Sequence, residues 1–344
     1  MNVLELARPA LRGLSPYPAA EQAAGVTRLN ANELPWGTLN RYPELRPTGL
    51  SAAMANHYGC KQNQLLITRG SSEAIDLLVR SLCRPGVDNI VTAPPTFSMY
   101  AHYAAIQGAG IRTAPTTEDV DFAVDSQRVL DVCNEFSKIV FLCSPNNPTG
   151  NSMSPAAIRE VATHRAGRSI VVIDEAYIEF SGFPSAAALL DELPNVVVLR
   201  TMSKAHGLAG ARCGAVIASA DAIGLLATIQ APYAIATPVA NIVESELRSN
   251  IATALNKSVA AIVSERARLV AQLETMPEVL RVFPSDANFL LVKFRDARAI
   301  LHRCRTGSVL PRFFGGELDR FLRITVGTRD ENDRFLELLA TTAK

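Results

Sequence analysis

Five short, almost unbroken apolar runs recur through the first two thirds of the chain, and each stops at a cluster of polar residues. They are residues 65–68 (LLIT), 89–92 (NIVT), 138–143 (KIVFLC), 169–173 (SIVVI) and 196–199 (VVVL). A strand with one face in water alternates apolar and polar side chains, so an unbroken run has to be covered on both faces. Segments with helical patterning lie between most of the runs, such as residues 74–82. Strands separated by helices build a parallel α/β sheet wrapped on both sides. A further run, residues 214–218 (GAVIA), is expected to close that sheet as an antiparallel edge. Ligands of such sheets sit at the carboxyl ends of the strands, and the polar clusters fall there.

The rest of the chain reads differently. Residues 1–40 form an arm with little core of its own, with a short helix expected over 3–11 and a turn-prone stretch at 13–18. A helix is expected near residues 49–57, and long helical patterning over 238–276. Strands at 282–283, 288–292 and 321–326, with helices at 296–304 and 332–343, indicate a second, smaller α+β unit. The expected division is an arm and part of the small domain at 1–40, a large domain at 41–237 and a small domain at 238–344. Lysine and arginine number 34 against 33 acidic residues, with no basic patch or acidic tail, which makes nucleic acid and membrane surfaces poor partners. The six cysteines are far apart with no C-x-x-C pair, which points away from zinc and disulfide frameworks and toward a reducing cytoplasm. No secretory signal is legible at the N-terminus, and the uncharged stretch 222–240 is broken by Gln230, Pro232 and Pro238. No metal site is expected.

The polar clusters carry the chemistry. Lys204 lies in a turn of small residues after the run 196–199, with Ser203 before it and Arg212 eight positions later. Small neighbours let a ring approach the amine, and serine with arginine can hold a phosphate. A lysine so placed is a candidate Schiff-base former; the alternative is a surface lysine on a loop. Gly70, Ser71 and Ser72 open a helix, which makes either an anion cradle or an ordinary cap. Asp174 ends a strand and could pair with a pyridine nitrogen or cap the next helix. At ~4 Å and an effective dielectric of ~20, that pairing is worth about 4 kcal/mol, roughly three pKa units before desolvation. Tyr177 could bond a ring oxygen, Asn147 stands in a proline-bounded loop, and Phe97 could stack on a flat ring.

Taken together, Asn147, Asp174, Tyr177, Lys204 and Arg212 resemble, in order and spacing, the fold-type I aminotransferases that use pyridoxal phosphate. The segments 29–33 (LNANE), 40–43 (NRYP), 144–150 (SPNNPTG), 173–180 (IDEAYIEF), 200–204 (RTMSK) and 323–329 (RITVGTR) are similar to those of the histidinol-phosphate aminotransferase family. The resemblance runs nearly end to end. It implies a mostly parallel seven-stranded sheet in the large domain. It implies Lys204 as the Schiff-base lysine and proton carrier, Asp174 on the pyridine nitrogen, Tyr177 and Asn147 on the ring oxygen, and Phe97 stacked on the ring. Ser71, Ser72, Ser203 and Arg212 would hold the cofactor phosphate, joined by Tyr42 from a neighbouring subunit of a homodimer with shared sites. Arg323 would take the glutamate α-carboxylate, and Tyr17 and Arg312 the substrate phosphate. The implied reaction takes histidinol phosphate and 2-oxoglutarate to imidazole-acetol phosphate and glutamate, in histidine biosynthesis.

Some positions depart from the family pattern. Phe97 stands where tyrosine is frequent, His206 where an aromatic is usual and Leu34 where asparagine is frequent; the region 311–316 is shorter than usual. His206 either touches the cofactor phosphate or packs, and packing is the expected role. The same machinery would also serve a threonine-phosphate decarboxylase or an aromatic aminotransferase. A binding module without turnover is a reading of another class, against which the joint presence of Lys204, Asp174 and Arg323 speaks.

Overall fold

The fold is described from a computed structural model, over residues 3–22, 25–248 and 251–340. The large sheet holds β1 (Leu65–Thr68), β2 (Asn89–Thr92), β3 (Gly110–Thr113), β4 (Ser137–Cys143), β5 (Ile170–Asp174), β6 (Val196–Thr201) and β7 (Gly214–Ile217). Their order is β1-β7-β6-β5-β4-β2-β3. Every pairing from β6 to β3 is parallel, and β7 runs antiparallel to both of its neighbours.

One expectation about this sheet needs correction, and one strand went unread. The run at 214–218 is not an edge, because β1 folds back outside it. The far edge is β3, whose four residues are all exposed and leave no apolar run to read.

Alternate residues of the strands feed two different cores, which is why the runs are unbroken. Val140, Val171, Ile173 and Val198 pack with Leu50, Met54, Ile158 and Val161 on one face. Ile139, Phe141, Val172 and Val197 pack with Ile75, Leu78, Tyr100 and Leu226 on the other.

The small sheet holds β8 (Val279–Val282), β9 (Phe289–Phe294), β10 (Arg312–Gly315) and β11 (Leu318–Thr325), in the antiparallel order β10-β11-β9-β8. The strand expected at 282–283 lies earlier, and β10 was not anticipated. It is the short first arm of a hairpin that turns at Gly315 and Gly316, both at positive φ. The patterning at 238–276 forms two helices, Thr237–Arg248 and Ile251–Leu273. The last helix is Arg329–Ala340; residues 341–343, also expected to be helical, lie outside the described residues.

The helix expected at 3–11 is two 3-10 turns, Val3–Leu6 and Pro9–Leu11; Pro9 has no N–H to continue the first. The start of the arm also packs on the large sheet, not the small one. Val3, Leu6 and Ala7 are buried in the same core as Leu78 and Ile223.

The two sheets are tied together at several points. Phe122 enters a cluster with Phe283, Leu291, Leu318 and Phe321, and Lys293 pairs with Glu118 at 2.6 Å. The Asp286 N–H donates to the Gly150 carbonyl at 2.7 Å. This docking carries the β10–β11 hairpin over the carboxyl ends of the large sheet. Among the described residues no helix is long and apolar enough to cross a membrane.

Candidate active site

A cavity of about 450 Å³ lies at the carboxyl ends of the parallel strands. Ser71 and Ser72 reach it from the segment after β1, Phe97 from that after β2, Asn147 from that after β4, and Asp174 and Tyr177 from the end of β5. Ser203, Lys204 and Arg212 come from the turn after β6, and Arg312 and Arg323 from the small sheet. Eleven residues singled out in the sequence therefore share one wall-to-wall space.

The acid is at its base. Asp174 is buried, accepts a hydrogen bond from the Tyr100 hydroxyl at 2.8 Å on Oδ2, and accepts one from the Ala176 N–H at 3.2 Å on Oδ1. Burial pushes its carboxyl up to about 6, against the opposing pull of Tyr100, Ala176 and Lys204. Lys204 is accessible from the cavity along its stem while its ammonium is partly enclosed, 5.5 Å from the centre of the Tyr177 ring. Burial, then Arg323 and Arg212, hold its amine below the ordinary lysine range, which enriches the neutral, nucleophilic form.

The anion pocket is built on backbone geometry. Gly70 has φ +73°, and a β-carbon there would stand 2.8 Å from Arg212 Nη2, so only glycine lets the guanidinium lie against the helix start. Arg212 is itself in the left-handed region, at φ 52°. Its Nη1 donates to Ser203 Oγ at 3.4 Å, and Ser203 Oγ is 3.0 Å from Thr201 Oγ1. The first turn of Gly70–Leu82 adds Ser71 and Ser72, with the helix dipole favouring negative charge.

The far wall is cationic. Arg323 donates from Nη1 to Asn147 Oδ1 at 2.5 Å, while its Nε is buried without a partner. Asn147 Nδ2 in turn lies 3.5 Å from the Tyr177 hydroxyl, at the limit of a hydrogen bond. Burial pushes the Tyr177 phenol up. Arg312 and Arg323 are direct partners across β10 and β11, and both guanidinium carbons lie within 6 Å of the Phe314 ring centre.

Two singled-out residues are elsewhere. Tyr17 is 58% exposed and outside the cavity lining, and Tyr42 is 50% exposed, stacked on Tyr233 at 4.7 Å. His206 lies outside the cavity lining, with its ring 5.0 Å from His57, and burial lowers its imidazole to about 4. Sequence reasoning passed over Tyr100, Thr201 and Phe314. Tyr100 gave no local signal of this contact: it reads as a core aromatic at the start of the helix Met99–Gln107.

A wound sheet whose strand ends bring a buried acid, an amine and an anion pocket into one cavity defines a group-transfer enzyme of the vitamin B6 type. The model of the family described as Aminotransferase class I and II matches residues 16–339, and the chain belongs to that family. Within it, the chain is 44% identical to the histidinol-phosphate aminotransferase of Xanthomonas campestris pv. campestris (strain ATCC 33913), over 98% of this chain and 97% of that one. It is 42% identical to the enzyme of that name from Stenotrophomonas maltophilia, over 98% and 97%. The solved histidinol-phosphate aminotransferase of Sinorhizobium meliloti in complex with pyridoxal-5'-phosphate shares the fold, with a TM-score of 0.78, 24% identity, and coverage of 88% of this chain and 84% of that one.

The residues fit pyridoxal phosphate. The group needs an anion site for its phosphate, an amine for its aldehyde carbon and an acid for its ring nitrogen, and the cavity offers Arg212 with three serines, Lys204 and Asp174.

Proposed function

We infer that the protein is a pyridoxal-phosphate-dependent aminotransferase that converts histidinol phosphate and 2-oxoglutarate to imidazole-acetol phosphate and glutamate, a step of histidine biosynthesis. The observation that carries this reading is the charge pattern of the cavity. One buried carboxylate, Asp174, faces four cationic groups, Lys204, Arg212, Arg312 and Arg323. Two anions then have places there, the cofactor phosphate at Arg212 and a substrate anion at Arg312 and Arg323.

The cofactor, once bound, supplies an electron sink that stabilises negative charge at the substrate's Cα. In this reading Ser71, Ser72, Ser203 and Arg212 hold its phosphate, Asp174 keeps the ring nitrogen protonated, Tyr177 and Asn147 bond the ring oxygen, and Phe97 covers the ring. Lys204 holds the aldehyde carbon and moves the proton at the substrate's Cα. Arg323 forks onto the α-carboxylate of glutamate, and Arg312, with Tyr17, meets the phosphate of the other substrate. Tyr17 would have to move in from the arm or come from a partner. We read the protein as a homodimer in the cytoplasm, with Tyr42 reaching the neighbouring cofactor phosphate. The exposed Leu29, Leu34, Trp36 and Leu39 around Tyr42 support a partner on that face. The domain division at residues 40 and 237 belongs to the same reading.

The test is a substrate panel with the purified, cofactor-loaded protein. Histidinol phosphate with 2-oxoglutarate should yield glutamate; phenylalanine, which leaves the phosphate site unpaired, should be slower by at least ~100-fold, and threonine phosphate, which carries a phosphate, should not lose carbon dioxide. Turnover of threonine phosphate with loss of carbon dioxide, or a preference for phenylalanine, would overturn it.

A further inference from the structure

We propose that Tyr100 is a positioning residue for the acid at the base of the cavity: its hydroxyl holds the Asp174 carboxylate in one orientation, with its remaining acceptor sites turned to the cofactor's ring nitrogen. The inference rests on the cofactor arrangement proposed above and concerns a residue that does not line the cavity.

Tyr100 lies at the start of the helix Met99–Gln107 and is completely buried. Its ring is stacked flat on Phe141 of β4, at 4.5 Å between centres and 8° between planes, and edge-on to Phe97 at 5.7 Å and 85°. A ring gripped on a face and an edge leaves the hydroxyl little freedom. That hydroxyl points at Asp174 Oδ2, 2.8 Å away. Phe141 pairs with Val172 in the sheet, two residues before Asp174, so ring and carboxylate are referred to the same pair of strands. The Ala176 N–H occupies the other oxygen.

The chemistry gives the bond a purpose beyond filling space. An acid that binds a protonated ring nitrogen has to be anionic, and burial opposes that form at Asp174. A donor that cannot itself accept the charge, aimed at one oxygen, favours the anion and fixes which lone pairs remain. Phenylalanine would fill the same space and make the same stack, so a tyrosine kept only for packing would lose nothing by that change.

The experiment compares Tyr100→Phe, Phe141→Leu and the unaltered protein, each loaded with pyridoxal phosphate carrying ¹⁵N in the ring. The readouts are the ring-nitrogen shift against pH, the cofactor dissociation constant, and the melting temperature of the cofactor-free protein. Tyr100→Phe should lower the melting temperature of the cofactor-free protein by no more than one lost hydrogen bond accounts for, bind cofactor on the order of tenfold more weakly and lose the ring proton at lower pH, the scale expected for one charge-assisted hydrogen bond. Phe141→Leu should lower the melting temperature and shift the ring-nitrogen titration less than Tyr100→Phe does, because the hydroxyl that donates to Asp174 is still present. An unchanged titration and affinity in Tyr100→Phe would overturn the proposal. So would a shift in Phe141→Leu as large as that in Tyr100→Phe, because packing alone would then set the acid. Substrates take no part in these measurements, so a failure of the substrate panel and a failure here are told apart.

Discussion

Arg323 and Asn147 are joined by a hydrogen bond of 2.5 Å that spans the junction of the two sheets. One comes from β11 of the small sheet and the other from the loop after β4, 176 residues apart in sequence. The bond uses one edge of the guanidinium. Its Nε stays buried and unpartnered, so the arginine retains a donor for an incoming carboxylate.

Arg323→Ala should therefore separate the two amino donors. We expect KM for glutamate to rise by at least ~30-fold and that for histidinol phosphate by only a few-fold, since a charge-assisted pair is worth about 2 kcal/mol. Arg323→Lys should recover part of the loss, because a lysine offers charge without the fork. Steady-state kinetics with each donor decide it; equal losses would refute the carboxylate role.

Lys204→Ala should fold, with a melting temperature near that of the unaltered protein, because the side chain is exposed on the cavity. Its kcat should fall by at least ~10³-fold, a scale that combines the lost covalent hold with the lost proton carrier. Half-reactions with glutamate, followed by the cofactor's absorbance, measure this. Near-normal conversion would mean that another group moves the proton.

Gly70→Ala should weaken cofactor binding. The substitution places a β-carbon 2.8 Å from Arg212 Nη2 and forces a side chain onto φ +73°. Strain of this kind costs about 1 kcal/mol. Gly59→Ala is the control, since Gly59 has φ +67° and no atom within 4 Å of the added carbon. Both variants should lose stability in thermal melts, and only Gly70→Ala should raise the cofactor dissociation constant. Equal dissociation constants would show that Arg212 moves aside freely.

The buried acid predicts a pH dependence for the cofactor-free protein. Burial raises Asp174 from 3.8 to about 6. The folded state then holds a proton that the unfolded state has released between those values, so stability falls as pH rises through about 6. Above that range the burden is about 3 kcal/mol, from two units at 1.36 kcal/mol each. Asp174→Asn should raise the melting temperature of the cofactor-free protein at pH 7.5, and the gain should vanish toward pH 4. With cofactor bound the sign should reverse, since the asparagine carries no charge for the ring nitrogen. A pH-independent effect would mean that Asp174 keeps its ordinary acidity in the fold.

Much of the site was legible because each part follows a strand whose unbroken apolar run announces its end. Asn147, Asp174, Ser203 and Lys204 were found that way and line one cavity. Tyr100 was not, because it is an ordinary core residue by every local signal and touches Asp174 only through packing from the next helix. Phe314 was hidden for a related reason. Its strand is short and half exposed, and its place beside Arg312 and Arg323 depends on a hairpin that no apolar run announces.

By itself the chain's sequence determined the wound α/β sheet, since runs such as residues 138–143 and 169–173 can satisfy their apolar faces only between two layers. It also determined which residue types stand at the strand ends, because that order is covalent. Folding in three dimensions decided the rest: that β1 lies outside β7, that β3 forms the other edge, and that the small sheet docks through Phe122 and Glu118 so that Arg312 and Arg323 face Lys204. The place of β1 outside β7 and the docking of the small sheet come from contacts between residues more than a hundred positions apart, which local periodicity does not encode, and β3 pairs with β2 through a strand that has no apolar run to show it.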